Sequence, residues 1–203
     1  MADHHVDRHI AQSSTPWQGR IISIVEDSVE LAEGKAPVTR QYTRHPGAVA
    51  IVAMRGDDGS EEVLVELQYR HPVKALLWEI PAGLLDIANE DPLVAAKREL
   101  AEEADLQAAR WDVLVDFFNS PGGSDESLRV FLARDLGPTN EVFDREDEEA
   151  DLELRWVPLD EAVAAIMDGR IHNTSAVVGL LAAYRARADK WENLRAADAP
   201  WFR

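Results

Sequence analysis

Glu99, Glu102 and Glu103 stand at i, i+3 and i+4 within the run RELAEEAD, so on an α-helix their three carboxylates project from one face. Like charges set that close repel one another. A hard divalent cation among them would remove the penalty, because magnesium takes oxygen ligands and is commonly shared between carboxylates and substrate phosphates. Arg98, one turn before Glu102, can pair with the same cluster and steady it. An acidic helix face by itself is most simply a solvated surface, so the cluster acquires meaning only from the elements that position it.

Those elements can be read on either side. Asp91 followed by Pro92 is a helix start: the aspartate caps free amides, and proline fits the first turn, where no donor is required. The spacing predicts a helix from residue 92 to about residue 104. Leu93, Ala96, Leu100 and Ala104 form its apolar face, so one side packs on a core while the other presents carboxylates. Upstream, residues 76–80 read as a short strand that delivers Pro81, Ala82 and Gly83 to the loop before the helix.

Taken together, Gly83, Glu90, Arg98, Glu99, Leu100, Glu102, Glu103 and Leu106 closely resemble the Nudix box, whose form is G, five residues, E, seven residues, REUXEEXGU. Two departures stand out: six residues separate Gly83 from Glu90, and Asp105 stands where the family usually has glycine. A surface loop tolerates the first. Aspartate is among the residues that best accept the left-handed backbone often found just past a helix, which accommodates the second. The resemblance implies an α/β/α sandwich around a mixed sheet and hydrolysis of a nucleoside diphosphate linked to another moiety. It also implies that Glu99 and Glu103, supported by Glu102 and the Ala82 carbonyl, hold two or three Mg²⁺ ions, with Mn²⁺ as a possible substitute, and that Glu99 is thereby catalytic.

The box does not name the second moiety. SPGGSDE, residues 120–126, with Pro121 sixteen residues beyond Asp105, is similar to a marker of the ADP-ribose pyrophosphatases in this family, although proline and glycine also build ordinary turns. Glu126, at its end, is a candidate substrate-binding residue. The stretch Gln68, Tyr69, Arg70 resembles one whose arginine contacts the substrate diphosphate, a task suited to a guanidinium fork. Arg40 lies where related enzymes place an arginine reaching into a partner's site; a solvated strand residue is the equal alternative. In these hydrolases the general base is a glutamate on a loop in the region of DREDEEAD, residues 144–151, which favours Glu149, with Glu148 second. The surplus negative charge of that run would raise a carboxylate's proton affinity and suit it to take a proton from water. The implied products are AMP and ribose 5-phosphate. Two other readings stand beside this one: a Nudix hydrolase of a nucleotide sugar or dinucleotide, and a module that binds ADP-ribose without cutting it. The complete set of box carboxylates speaks against the latter.

The rest of the chain sets the frame. A length of 203 residues, 46% of them hydrophobic, suffices for one sizeable core and an appendage. The strand and helix order, with strands near residues 48–54, 62–69, 111–118, 127–133 and 152–157 and helices at 159–167 and 174–188, fits an α+β protein better than a doubly wound parallel sheet. Residues 1–15 read as a flexible tail and 47–203 as the catalytic domain. Residues 16–46 read as a two-stranded hairpin domain, exchanged between the subunits of a homodimer by resemblance to ADP-ribose hydrolases. A formal net charge of −17 argues against a nucleic-acid partner, whose phosphates need a basic surface. The sequence offers no 18-residue apolar run and no signal-peptide pattern, so no membrane partner and a cytoplasmic location are expected. With no cysteine there are neither disulfides nor thiol chemistry. Trp17, Trp78 and Tyr42 are candidates to stack on the adenine, with core packing as the plainer role. Trp191, Trp201 and Phe202 are expected to pin the carboxyl-terminal segment.

Overall fold

The computed structural model describes residues 1–139 and 152–203, which form two compact units: residues 1–47 with 118–127, and residues 48–117 with 128–203.

In the first unit, strands β1 (Ile10–Gln18), β2 (Ser23–Val29) and β3 (Val38–Arg44) pair antiparallel in the order β1-β2-β3. The expected hairpin is β2 and β3. The third strand begins at Ile10, inside the stretch read as tail. Its sequence, IAQSSTPWQ, lacks the alternation that betrays a half-buried strand, and all of its residues are exposed. The ladder to β2 defines it instead, with register shifts between Ile10 and Gln12 and between Ser14 and Trp17. The SPGGSDE loop joins this unit at the edge of β3. Thr43 donates its N–H to the Gly123 carbonyl (2.9 Å), its own carbonyl accepts from Asp125 N–H (3.1 Å), and the Asp125 carboxylate accepts from His45 N–H (2.8 Å).

An eight-stranded mixed sheet organises the second unit. Its strands are β4 (Ala48–Arg55), β5 (Glu62–Arg70), β6 (Ala75–Glu79), β7 (Ala82–Leu84), β8 (Leu106–Phe118), β9 (Ser127–Pro138), β10 (Glu153–Pro158) and β11 (Arg195–Ala196). They run β10-β5-β4-β9-β8-β11, with β6 paired to β5 and β7 to β4. β4 and β9 are parallel, whereas β5, β6 and β10 pair antiparallel. Three helices accompany the sheet: α1 (Pro92–Ala104), α2 (Leu159–Met167) and α3 (Thr174–Ala188).

β4 explains the layering. Ala50, Val52 and Met54 pack in a core with Leu159, Ala162, Leu180 and Ala183 from α2 and α3, while Val49, Ile51 and Ala53 pack with Ala95, Ala96, Leu100 and Ala104 from α1. A strand covered on both faces reads as an unbroken apolar run, as residues 48–54 do. The helices start and stop where local chemistry predicts. Asp91 accepts a hydrogen bond from Leu93 N–H (2.8 Å), Asn173 accepts one from Ala176 N–H (3.0 Å), and Asp105 ends α1 at φ 55°. At the carboxyl end, Arg129 donates to the carbonyls of Ala199 and Pro200 and lies 4.9 Å from the Trp201 ring, while Arg134 lies 5.1 Å from Trp191. Those two tryptophans therefore pin the segment, as expected.

Candidate functional site

The β7 strand and α1 meet at Gly83. A Cβ there would lie 1.9 Å from Glu99 Cδ and 2.0 Å from its Oε1, so only glycine lets that carboxylate lie against the strand. This is the physical reason for a glycine sixteen residues ahead of a glutamate, and it concerns close approach rather than backbone freedom.

Arg98 gathers the acids. Its Nε and Nη2 each donate to Glu90 at 3.1 Å, and its Nη1 donates to Glu99 (2.6 Å) and Glu102 (3.0 Å). Its pKa is raised above the ordinary arginine value, chiefly by the hydrogen bonds to Glu90, with burial opposing and the charge of Glu99 assisting. The extra loop residue ahead of Glu90 is absorbed locally: Glu90 N–H donates to the Ile87 carbonyl (3.1 Å), Asn89 takes φ 64°, and Glu90 still reaches Arg98. Glu103 turns elsewhere, its Oε2 accepting the Ala82 N–H at 3.0 Å. Glu99 and Glu103 are 8% and 5% exposed, so their charges are poorly screened by water.

The acidic side chains offer oxygen donors only, which suits a hard divalent cation and not a soft one. Among the described residues no three acidic or histidine side chains already surround one point. In this arrangement Glu99 is turned to Arg98 and Glu103 to the Ala82 amide, and an ion would compete with those partners for the same oxygens.

The other predicted residues fall in three places. Arg70 lies in the second unit, at the end of β5, gripping Glu79 through Nε (2.9 Å) and Nη2 (2.8 Å). Arg40 and Glu126 belong to the first unit. There Arg40 helps line an open hollow of about 380 Å³ with Tyr42, Phe118 and residues 121–125, and Glu126 accepts a hydrogen bond from Asn119 Nδ2 (2.9 Å). Glu148 and Glu149 lie outside the described residues. Of the aromatic candidates, Trp17 is half exposed, Tyr42 bonds Asp27 through its hydroxyl (3.2 Å), and Trp78 packs against the α2–α3 core with Arg155 stacked 4.8 Å from its ring. Sequence reasoning missed the buried acids Glu66 and Glu79. The available signal was a lone charged side chain in an otherwise apolar strand, Glu66 in VLVEL and Glu79 at the end of ALLWE.

Comparisons with known proteins agree with the geometry. The NUDIX domain model matches residues 44–176. The chain is 42% identical over 202 residues to an ADP-ribose pyrophosphatase of Mycobacterium tuberculosis, covering all of this chain and 94% of that protein. It is 34% identical over 164 residues to an ADP-ribose pyrophosphatase of Bacillus subtilis, covering 81% of this chain and 85% of the relative. A crystal structure of an ADP compounds hydrolase superposes with a TM-score of 0.73 at 21% identity, covering 93% of this chain and 98% of that one, a likeness of fold. With the acidic helix, the glycine that admits Glu99 and a family match across most of the chain, this protein belongs to the Nudix family.

Proposed function

We propose that this protein hydrolyses the diphosphate of ADP-ribose, giving AMP and ribose 5-phosphate. The observation that carries the reading is the box itself, closed around Arg98 with Glu99 lying against Gly83, in a chain that matches an ADP-ribose pyrophosphatase along its whole length.

Nudix hydrolases typically use a divalent metal such as Mg²⁺, and here Glu99 and Glu103, with Glu102 and the Ala82 carbonyl, are the residues to hold two or three such ions, Mn²⁺ serving in place of Mg²⁺. Bound there, the ions supply charge neutralisation of the diphosphate and activation of water. The chain's own groups do the rest. Arg98 keeps the acids apart from one another's full repulsion. Arg70 binds phosphate oxygens, and Arg40 and Glu126 orient the remainder of the substrate. Glu149, or Glu148 beside it, takes the proton of the attacking water. The new P–O bond forms as the bridging P–O bond breaks, and the displaced phosphate leaves on the other product. The reading includes a cytoplasmic homodimer in which residues 16–46 are exchanged and Arg40 serves the partner's site. It includes neither a nucleic-acid nor a membrane partner, the former in keeping with the charge of −17.

The test is a substrate panel with Mg²⁺ and with Mn²⁺, containing ADP-ribose, a nucleotide sugar and a dinucleotide, with products separated by chromatography. ADP-ribose should give AMP and ribose 5-phosphate at the highest kcat/KM. If every diphosphate stays intact, the hydrolase reading fails; if a nucleotide sugar is cleaved best, the substrate assignment alone changes. Sizing the intact chain against one lacking residues 1–46 tests the exchange, and a stable, active single subunit after truncation would refute it.

A further inference from the structure

The ion pair between Arg70 and Glu79 is unequal in exposure: the Glu79 side chain is 1% exposed and that of Arg70 is 40% exposed. A carboxylate withdrawn from water is costly unless it is paired and hydrogen-bonded. Glu79 also stands opposite Glu66 across the β5–β6 ladder, and Glu66 is itself 1% exposed. Like charges in directly opposed positions repel. Keeping a second acid there serves no packing purpose that leucine would not serve better, so its benefit must come through the arginine it grips.

The pair also sits on the relevant side of the sheet. Residues 64, 66, 68 and 70 alternate onto one face of β5, and Leu64 belongs to the core layer that α1 covers. From Glu79 the chain reaches Ala82 in three residues, and the Ala82 amide holds Glu103. The Arg70–Glu79 pair and the box acids are thus anchored on neighbouring segments of one rigid sheet.

We infer that Glu79 is a positioning residue for substrate binding: by taking both Nε and Nη2 of Arg70, it fixes the plane of the guanidinium that meets the substrate diphosphate. A two-point grip removes rotation that a single contact would leave, so less conformational freedom is lost when phosphate binds. This inference rests on the proposed contact between Arg70 and the diphosphate.

Steady-state kinetics of the purified full chain with ADP-ribose and Mg²⁺ test it, comparing wild type, Arg70→Ala, Glu79→Gln and the double variant, with thermal melts to confirm folding. Glu79→Gln should raise KM about five- to tenfold while kcat changes less than about twofold. The double variant should be no worse than Arg70→Ala, because Glu79 has nothing left to position. Additive losses, a fall confined to kcat, or an unchanged KM in Glu79→Gln would each overturn the assignment of Glu79. An unchanged KM in Arg70→Ala would overturn it through the premise, leaving wild-type turnover to stand for the hydrolase reading. Failure of the intact chain to cleave any diphosphate would sink both. Should Glu79→Gln not fold, Arg70→Lys decides: lysine keeps the charge but lacks the planar fork through which the carboxylate fixes one orientation, so KM should stay raised, and a wild-type KM would refute the positioning role.

Discussion

Arg98 and Arg129 are both guanidinium groups drawn in among carboxylates of the second unit, and they differ in how the charges add up. Arg98, its side chain 28% exposed, faces Glu90, Glu99 and Glu102, with Glu103 close by on the same helix face. Among the described residues its recorded partners are three acids. Arg129, 4% exposed, gives Nε and Nη2 to Asp116, which also accepts from Arg195 (2.7 Å), and spends its remaining donors on backbone carbonyls. There two cations share one acid, and every group named has its partner within the chain. Acids gathered beside a close-packed glycine offer oxygens that a hard cation can use; the Arg129 cluster, richer in cations than in acids, offers it none.

The contrast breaks most visibly at the acids. Removing a box carboxylate should harm chemistry and spare the fold, so Glu99→Gln and Glu103→Gln should each lower turnover about 10³-fold, the equivalent of several kcal/mol of transition-state charge stabilisation. Their melting temperatures should hold or rise, because each substitution relieves repulsion. Near-normal rates in both variants would refute the metal assignment.

Gly83→Ala should come next. The new methyl would displace the Glu99 carboxylate from its place against β7, and misplacement of a catalytic group by about 1 Å can cost about 10²-fold in rate. Since the obstructed atoms belong to a side chain, the stability cost should be the ordinary one for overpacking, about 1–3 kcal/mol. Full activity in Gly83→Ala would mean that Glu99 works from a different position.

Arg129→Ala should show the reverse signature. Asp116 would keep Arg195 but lose its buried partner, and residues 199–201 would lose their anchor, for about 2–3 kcal/mol of stability and a fall of about 5–10 °C in Tm. Turnover at 25 °C should be unchanged. A rate loss comparable to that of Gly83→Ala would erase the distinction between the two clusters.

The two regions were unequally legible in the sequence. The acids, Arg98, both ends of α1 and the start of α3 follow from spacing and caps, since helical contacts are local and Asp91, Asp105 and Asn173 announce those ends. The layering of β4 was legible for the same reason that it is stable, a continuous apolar run. What stayed hidden depends on pairing over long sequence separations. β1 carries no periodicity, the union of residues 118–127 with β3 rests on backbone bonds between Thr43 and residues some eighty positions on, and the grip of Glu79 on Arg70 exists only through the register of β5 and β6. The box pattern showed that position 83 is glycine without showing why; the approach of Glu99 supplies the cause.

The smallest expected effect separates the clusters without any turnover. An ion that binds the folded chain and not the unfolded one stabilises it by RT ln(1 + [L]/Kd), which is about 1.4 kcal/mol at ten times Kd. For a chain of this size that corresponds to about 3–6 °C in Tm. Mg²⁺ should therefore raise the melting temperature of the wild type and, from its lower starting point, of Arg129→Ala by the same increment, because the carboxyl-terminal clamp sets two cations on one acid and offers the ion no group of carboxylates. In Glu99→Gln and Glu103→Gln the increment should vanish, even though those proteins melt at least as high as wild type without the ion. An equal shift in all four would place the ion elsewhere on this acidic surface and detach the acids of α1 from metal binding.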